Sequence, residues 1–325
     1  MKPFLSIVCP TYNVENYIIR FCKSILNQTK ENFELIFIND GSTDNSRKII
    51  EKLKETDYRV KLINKKNEGT GEARNVGLLE ATGEYIIFAD PDDSFEENFI
   101  SEIETYLKEF KPEIALFGYN TIYKNKKKSK STFNKNLVFY DSKKKFREAF
   151  SKIENENNYN SVWNKVYKVE FLKKSGVFFP DNPTAQDAIF NYKLINNISR
   201  ILLIPKCYYN YFSQRVGSAQ NSKKNKYIDE YVLMKQKIVS FNTWENQLKR
   251  TLINQALIDF ITTQVITYKG KIPRKLQNSK EFIEVKSVLK SIKMNNENTI
   301  INNVKIFMIK TNQYRLLYYL YRIVI

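Results

Sequence analysis

From residue 4 to residue 118 the chain alternates between short apolar runs and longer amphipathic ones. LSIVCPTYN, FELIFIND, RVKLIN, EYIIFAD and EIALFGY are the apolar runs. VENYIIRFCKSILNQ, STDNSRKIIEKLKE, EARNVGLLEA and ENFISEIETYLKEF lie between them, with apolar residues at helical spacing. Strands separated by helices in this way join through right-handed βαβ crossovers. The pattern therefore predicts an α/β fold, a mostly parallel sheet with flanking helices. In such sheets ligands bind beyond the carboxyl ends of the strands. Three of the strands run out into PTYN, NDGS and DPDD, so these clusters are expected together on one edge.

The last cluster is the most telling. Asp90, Asp92 and Asp93 follow the apolar run EYIIFA directly, and three carboxylates repel one another unless something positive sits among them. Taken alone, the residues allow two readings. Asp93 or Ser94 can cap the helix that SFEENFISEIETYLKEF predicts, because both types accept from free N–H groups at a helix start. Alternatively the carboxylates hold a hard divalent cation, Mg²⁺ or Mn²⁺. An EF-hand loop fits poorly, since its sixth position is Phe95 rather than Gly and its twelfth is Ser101 rather than Glu. Convergence with PTYN and NDGS on one edge favours the metal.

Composition narrows the chemistry. The chain has no histidine, so a Ser-His-Asp triad, a histidine base and a histidine metal ligand are all excluded. Cys9, Cys22 and Cys207 show neither metal-ligand spacing nor a disulfide framework. MKPFLSIVCPTYN reads as a first strand and not as a signal peptide, which makes the cytoplasm the expected compartment. No apolar run is long enough to span a bilayer; LLYYLY, Leu316 to Tyr321, is the longest near the end. Of the net charge of +18, residues 221–325 carry +12, which marks them as a basic module with an anionic partner.

Beyond the alternating region, residues 119–140 read as a hairpin excursion with the lysine run KNKKKSKS as a solvated tip. RILLIP and CYYNYF suggest two more strands. From about residue 222 the pattern is helical, with breaks near KGKIPRK and around Asn295. NEGTGEARNVG fails as a dinucleotide fingerprint, because Arg74 stands where the third glycine belongs. At a helix start by the sheet edge, Arg74 can instead reach an anionic ligand.

Residues 4–94 resemble the nucleotide-sugar-binding half of family-2 glycosyltransferases with the GT-A fold. SIVCPTYNVENYI, CKSILNQT, FELIFINDGSTDNS, NEGTGEARNVGL and ATGEYIIFADPDDSF carry the resemblance. VWNKVYK and AQDAIFNYKL extend it to about residue 220. It implies a catalytic domain over 1–220, with a nucleotide-sugar half to about 118 and an acceptor half beyond; the basic helical module over 221–325 rests on charge and pattern alone. Thr11, Tyr12 and Glu15 then cradle base and ribose, and Asp40 accepts from the nucleobase edge. Arg74 lies near the diphosphate. Asp92 is the direct ligand of Mn²⁺ or Mg²⁺, with Asp90 closer to ribose and sugar. Asp187 is the base that deprotonates the acceptor, and Trp163 lies by the acceptor, where it can stack on a sugar; from the residues alone a core role for Trp163 is the alternative. Many members have Glu before that base where this chain has Gln186, which leaves the role of the preceding acid in doubt. Without the family order, a lone Asp entering a helix reads as a cap.

The expected activity is inverting, metal-dependent sugar transfer from a nucleotide donor, most simply UDP-linked, to a growing surface glycan on a lipid. The final segment NVKIFMIKTNQYRLLYYLYRIVI, with Lys305, Lys310, Arg315 and Arg322 and no acid, suggests peripheral contact with an anionic membrane. Two rivals are a basic nucleic-acid-binding protein and an idle glycan-binding relative. The first lacks any nucleic-acid motif, and Asp90, Asp92 and Asp187 argue against the second.

Overall fold

Strands β1 (Leu5–Thr11), β2 (Phe33–Asp40), β3 (Val60–Lys65) and β4 (Tyr85–Phe88) alternate with helices α1 (Ile18–Leu26), α2 (Ser46–Thr56) and α3 (Thr70–Glu80). The computed structural model describes residues 2–123, 126–131, 136–181, 185–213, 226–291 and 300–324. These four strands pair in parallel in the order β3-β2-β1-β4. Every residue of β1 and β2 is buried, as continuous apolar runs covered on both faces require. Thr11 is level with Asn39, and Val8 with Phe88, so the ends of β1, β2 and β4 share one edge.

The second half departs from a simple parallel series. After β5 (Ser94–Phe95) and α4 (Phe99–Phe110) come β6 (Ile114–Tyr123), β7 (Lys126–Ser131), β8 (Val138–Tyr140) and α5 (Lys143–Glu156). β9 (Lys165–Lys168), α6 (Val169–Ser175), α7 (Gln186–Leu194) and β10 (Ile201–Phe212) complete the sheet region. β9 inserts antiparallel between β4 and β6, which makes the sheet mixed. RILLIP and CYYNYF, expected as two strands, form the single strand β10. Pro205 is accommodated because the register against β6 shifts between Ile204 and Cys207, where a missing N–H costs no ladder bond. The lysine run, expected as a hairpin tip, supplies the return strand β7, antiparallel to β6.

The cap reading of Asp93 and Ser94 is overturned. Helix α4 begins only at Phe99, after Asn98, and Ser94 is in β5. Asp93 is spent elsewhere, as described below.

Residues 1–222 and 223–325 form two compact units. The second is helical: α8 (Lys226–Phe241), α9 (Asn246–Thr267), α10 (Arg274–Gln277), α11 (Lys280–Ser291), α12 (Ile300–Lys310) and α13 (Tyr314–Val324). The expected break at KGKIPRK falls between α9 and α10; that around Asn295 lies outside the described residues. The final segment is two helices parted at Asn312, whose φ is 59°. Ile306, Ile309, Tyr314 and Leu317 enter this unit's own core with Leu257, Ile261 and Phe282. Among the described residues no helix is long and apolar enough to cross a membrane.

Candidate active site

Helix α3 brings Arg74 to the sheet edge because it lies unusually close to β1. A Cβ on Gly77 would stand 2.1 Å from Val8 Cγ1, so only glycine permits this approach. Arg74 is 5% exposed, and its guanidinium bridges two carboxylates. Nη1 donates to Asp187 at 2.5 Å and Nη2 to Asp90 at 3.1 Å. The ring of Phe179 lies 5.5 Å beneath the guanidinium and stacks on Phe190 of α7 at 4.0 Å. Burial works against the arginine charge, but Asp187 and Asp90 outweigh it and raise its pKa. Asn75 locks the assembly by exchanging two hydrogen bonds with the main chain of Phe179.

Asp187 is the second residue of α7, after Ala185 in the left-handed conformation at φ 57°. Non-glycine residues pay for that conformation, and it turns the chain sharply into the helix. The Asp187 side chain is 26% exposed. Burial raises its pKa from the ordinary aspartate value, with Arg74 opposing. A carboxylate raised in this way is a better proton acceptor at neutral pH.

The DPDD turn is fastened from β10. Asp90 donates its N–H to the Tyr209 hydroxyl at 3.1 Å, and that hydroxyl favours the charged form of Asp93. Asp93 is 1% exposed and accepts from the Phe212 N–H at 2.8 Å. Burial, then the charges of Asp92 and Asp90, push its pKa well above the usual carboxylate range. Asp93 is therefore a structural strut. Arg20 of α1 donates to the Asp92 carbonyl oxygen and lies 3.6 Å over the ring of Phe212. Its pKa is lowered by burial, with Asp93 and Asp92 opposing.

The remaining edge residues are tied to each other. Asp40 is 3% exposed; Oδ1 accepts from Lys65 Nζ at 2.8 Å and the Glu68 N–H at 3.0 Å, and Oδ2 from the Gly69 N–H at 2.8 Å. A carboxylate has roughly four acceptor sites, so one remains on Asp40. Glu15 Oε2 accepts from the N–H and Nδ2 of Asn45 at 2.8 and 2.9 Å. Thr11 is buried with its hydroxyl on the Cys9 carbonyl at 3.0 Å, and Tyr12 beside it is 47% exposed.

Trp163 differs from expectation. It is 8% exposed and stacks on Tyr209 at 4.8 Å and on Tyr211 at 5.7 Å, with Tyr119 edge-on at 4.8 Å. Its faces are covered by the core, so it offers no platform to a sugar. The structure thus joins Arg74, Asp90 and Asp187 directly, places Thr11, Tyr12, Glu15, Asp40 and Asp92 along the same edge, and withdraws Trp163. Asn75 and Arg20 escaped the sequence reading; Asn75 lies inside the stretch EARNVG, which was legible as a motif but not as a contact.

Among the described residues no three His, Cys, Asp or Glu side chains converge as a complete metal cage. Asp92 and Asp90 remain as oxygen donors once Asp93 is spent. One or two carboxylates suffice for Mg²⁺ or Mn²⁺ when a diphosphate supplies further oxygens, so the residues fit such an ion.

A mixed sheet with an arginine-bridged pair of carboxylates at its carboxyl edge is the setting in which comparison becomes informative. The chain belongs to glycosyl transferase family 2, whose family model matches residues 6–176. Glycosyltransferase GlyA of Streptococcus pneumoniae is 28% identical over 215 residues, 64% of this chain and 30% of that protein. Poly(ribitol-phosphate) β-N-acetylglucosaminyltransferase TarS of Staphylococcus aureus is 26% identical over 263 residues, 79% of this chain and 43% of TarS. The chain thus spans less than half the length of either relative. The crystal structure of TarS 1-349 in complex with UDP-GlcNAc shares the fold, with a TM-score of 0.75 at 20% identity over 98% of this chain and 91% of that one.

Proposed function

We propose that the chain transfers a sugar from a nucleotide donor to an acceptor hydroxyl, with inversion at the anomeric carbon. The observation that carries this reading is the Arg74 bridge. It sets Asp90, on the donor side of the sheet, and Asp187, on α7, against one buried cation. Asp187 takes the acceptor proton, and the oxygen lone pair forms the new bond to the anomeric carbon. The old C–O bond electrons leave with the diphosphate, whose growing charge Arg74 faces. Asp92 and Asp90 would hold Mn²⁺ or Mg²⁺, which when bound neutralises charge on the leaving diphosphate. The exposed Tyr12 ring suits a nucleobase, and the last acceptor site on Asp40 suits one imide N–H, as uracil offers.

A UDP-linked hexose or N-acetylhexosamine is therefore the preferred donor, and the TarS structure with UDP-GlcNAc supports that choice. The acceptor is a hydroxyl of a growing surface glycan, carried on lipid at the inner face of the cell membrane. The charge of residues 221–325 and the exposure of Phe307, Leu316 and Tyr319 among Lys305, Lys310 and Arg315 support peripheral contact with anionic lipid. The test is a panel of nucleotide sugars, read as protection against thermal unfolding and as release of nucleoside diphosphate. UDP-sugars with Mn²⁺ should protect and turn over, and chelator should remove both effects. A panel with no protection and no turnover sinks the reading; full turnover in excess chelator sinks the metal.

A further inference from the structure

Asp187 and Asn191 stand four residues apart on α7, on the same face of the helix. That face meets the turn that precedes β9. Asn191 donates Nδ2 to the carbonyl oxygens of Tyr159, Asn160 and Ser161 at 3.0, 3.2 and 3.1 Å. Its Oδ1 accepts from the Tyr167 hydroxyl at 2.7 Å. Lys165, fully buried at the start of β9, holds the same turn. Its Nζ donates to the Asn158 carbonyl at 3.2 Å, to Asn164 Oδ1 at 2.8 Å and to the Ser161 carbonyl. The main chain closes the same turn, with the Lys165 N–H donating to the Val162 carbonyl at 3.2 Å.

Three oxygens match the three N–H bonds of an ammonium, and all three are uncharged. Burying a cation among neutral partners costs several kcal/mol, more than a neutral residue at this position would cost. Asp187 is a charged group whose field reaches Lys165, and Arg74 and Asp90 act in turn on that carboxylate. Tyr159 lies with its ring 5.3 Å from Nζ, and Tyr167 and Arg74 surround the same carboxylate from β9 and α3. Burial presses the Lys165 pKa well below the usual lysine range, with Asp187 opposing.

We propose that Lys165 is a positioning residue for Asp187, tying off the turn to which α7 is clamped through Asn191, one helical turn from the carboxylate. This rests on the reading of Asp187 as the base. The experiment compares Lys165→Met, Lys165→Gln and Asp187→Asn in the full chain. UDP affinity by calorimetry reports donor binding, and UDP release from UDP-GlcNAc against pH reports turnover. Lys165→Met should keep UDP affinity and lose about 10²-fold in turnover, as a misplaced catalytic group does. The acid limb of its pH profile should move to higher pH, because the carboxylate loses a positive neighbour. Lys165→Gln keeps N–H donors for the turn, so it should recover part of the rate but retain the moved limb. A Lys165→Met protein that turns over within about threefold of the parent, with the limb unmoved, overturns the proposal. If that variant does not fold, parent-like rate and limb in Lys165→Gln overturn it instead. Full turnover in Asp187→Asn would refute the base reading itself; an inactive Asp187→Asn beside a parent-like Lys165→Met refutes only the role of Lys165.

Discussion

Two kinds of carboxylate share the sheet edge, and they differ in what holds them. Asp40 and Asp93 are anchored to the main chain: Asp40 by the N–H groups of Glu68 and Gly69, with Lys65 Nζ beside them, and Asp93 by the N–H of Phe212. Asp90 and Asp187 share a single guanidinium. A main-chain bond cannot be released without moving backbone, whereas a guanidinium can exchange a carboxylate for a phosphate of similar geometry. The first pair therefore builds the edge, and the second is available to chemistry. The same residue type, within one site, divides by its partner.

The largest effect should separate the two kinds outright. Asp187→Asn should lower turnover by about 10²–10⁴-fold, the usual contribution of a positioned base. Its UDP affinity and unfolding temperature should stay near the parent values. A variant that melts early but turns over normally per folded molecule would place Asp187 with the builders. Asp40→Asn should instead lose stability, together with any share of UDP affinity that its last acceptor site supplies. Its amide nitrogen would face main-chain N–H groups, leaving buried donors unmet at about 1–3 kcal/mol of stability. Thermal unfolding measures this directly. Parent stability with lost UDP affinity would mean that Asp40 serves the base more than the fold.

This division explains how far the sequence could be read. The alternation of apolar and amphipathic runs sufficed for β1 to β4, since β1, β2 and β4 are buried throughout, β3 is an edge strand, and each connection is local. The carboxyl-edge clusters followed from topology alone. The insertion of β9 between β4 and β6 was not legible, because antiparallel pairing with strands far along the chain leaves no periodic trace. Trp163 was misplaced for a related reason. Its stacking partners Tyr209 and Tyr211 lie in β10, and nothing in VWNKVY announces them. Asp93 looked like its neighbours until Phe212 and Tyr209 were seen to claim it.

Asp93 supplies a smaller, pH-dependent test. Its pKa is raised in the folded chain, so folding favours its protonated form. The stability it contributes is present below the ordinary carboxylate range and is lost as pH rises through the higher folded value. The slope is at most about 1.4 kcal/mol per pH unit for one proton. Asp93→Asn, which cannot ionise, should flatten the stability profile over that window. Stability that climbs with pH there, and that Asp93→Asn abolishes, would mean the carboxylate is favoured and the strut is an ionic one.

The smallest effect concerns Trp163 and asks whether the division by burial holds for more than carboxylates. The indole belongs to the core on its contacts, although the family resemblance pointed to an acceptor sugar. Aromatic pairs of this kind contribute about 0.5–1.5 kcal/mol beyond the area they bury. Trp163→Phe keeps one ring of the stack, so it should cost about 1–2 kcal/mol of stability by loss of packing and pairing. The acceptor KM should not change. UDP affinity is the more sensitive reporter, because Tyr209, on which Trp163 stacks, also holds the Asp90 N–H. A slackened stack therefore reaches the DPDD turn before it reaches any acceptor. A raised acceptor KM at unaltered unfolding temperature and UDP affinity would show that the ring touches sugar after all.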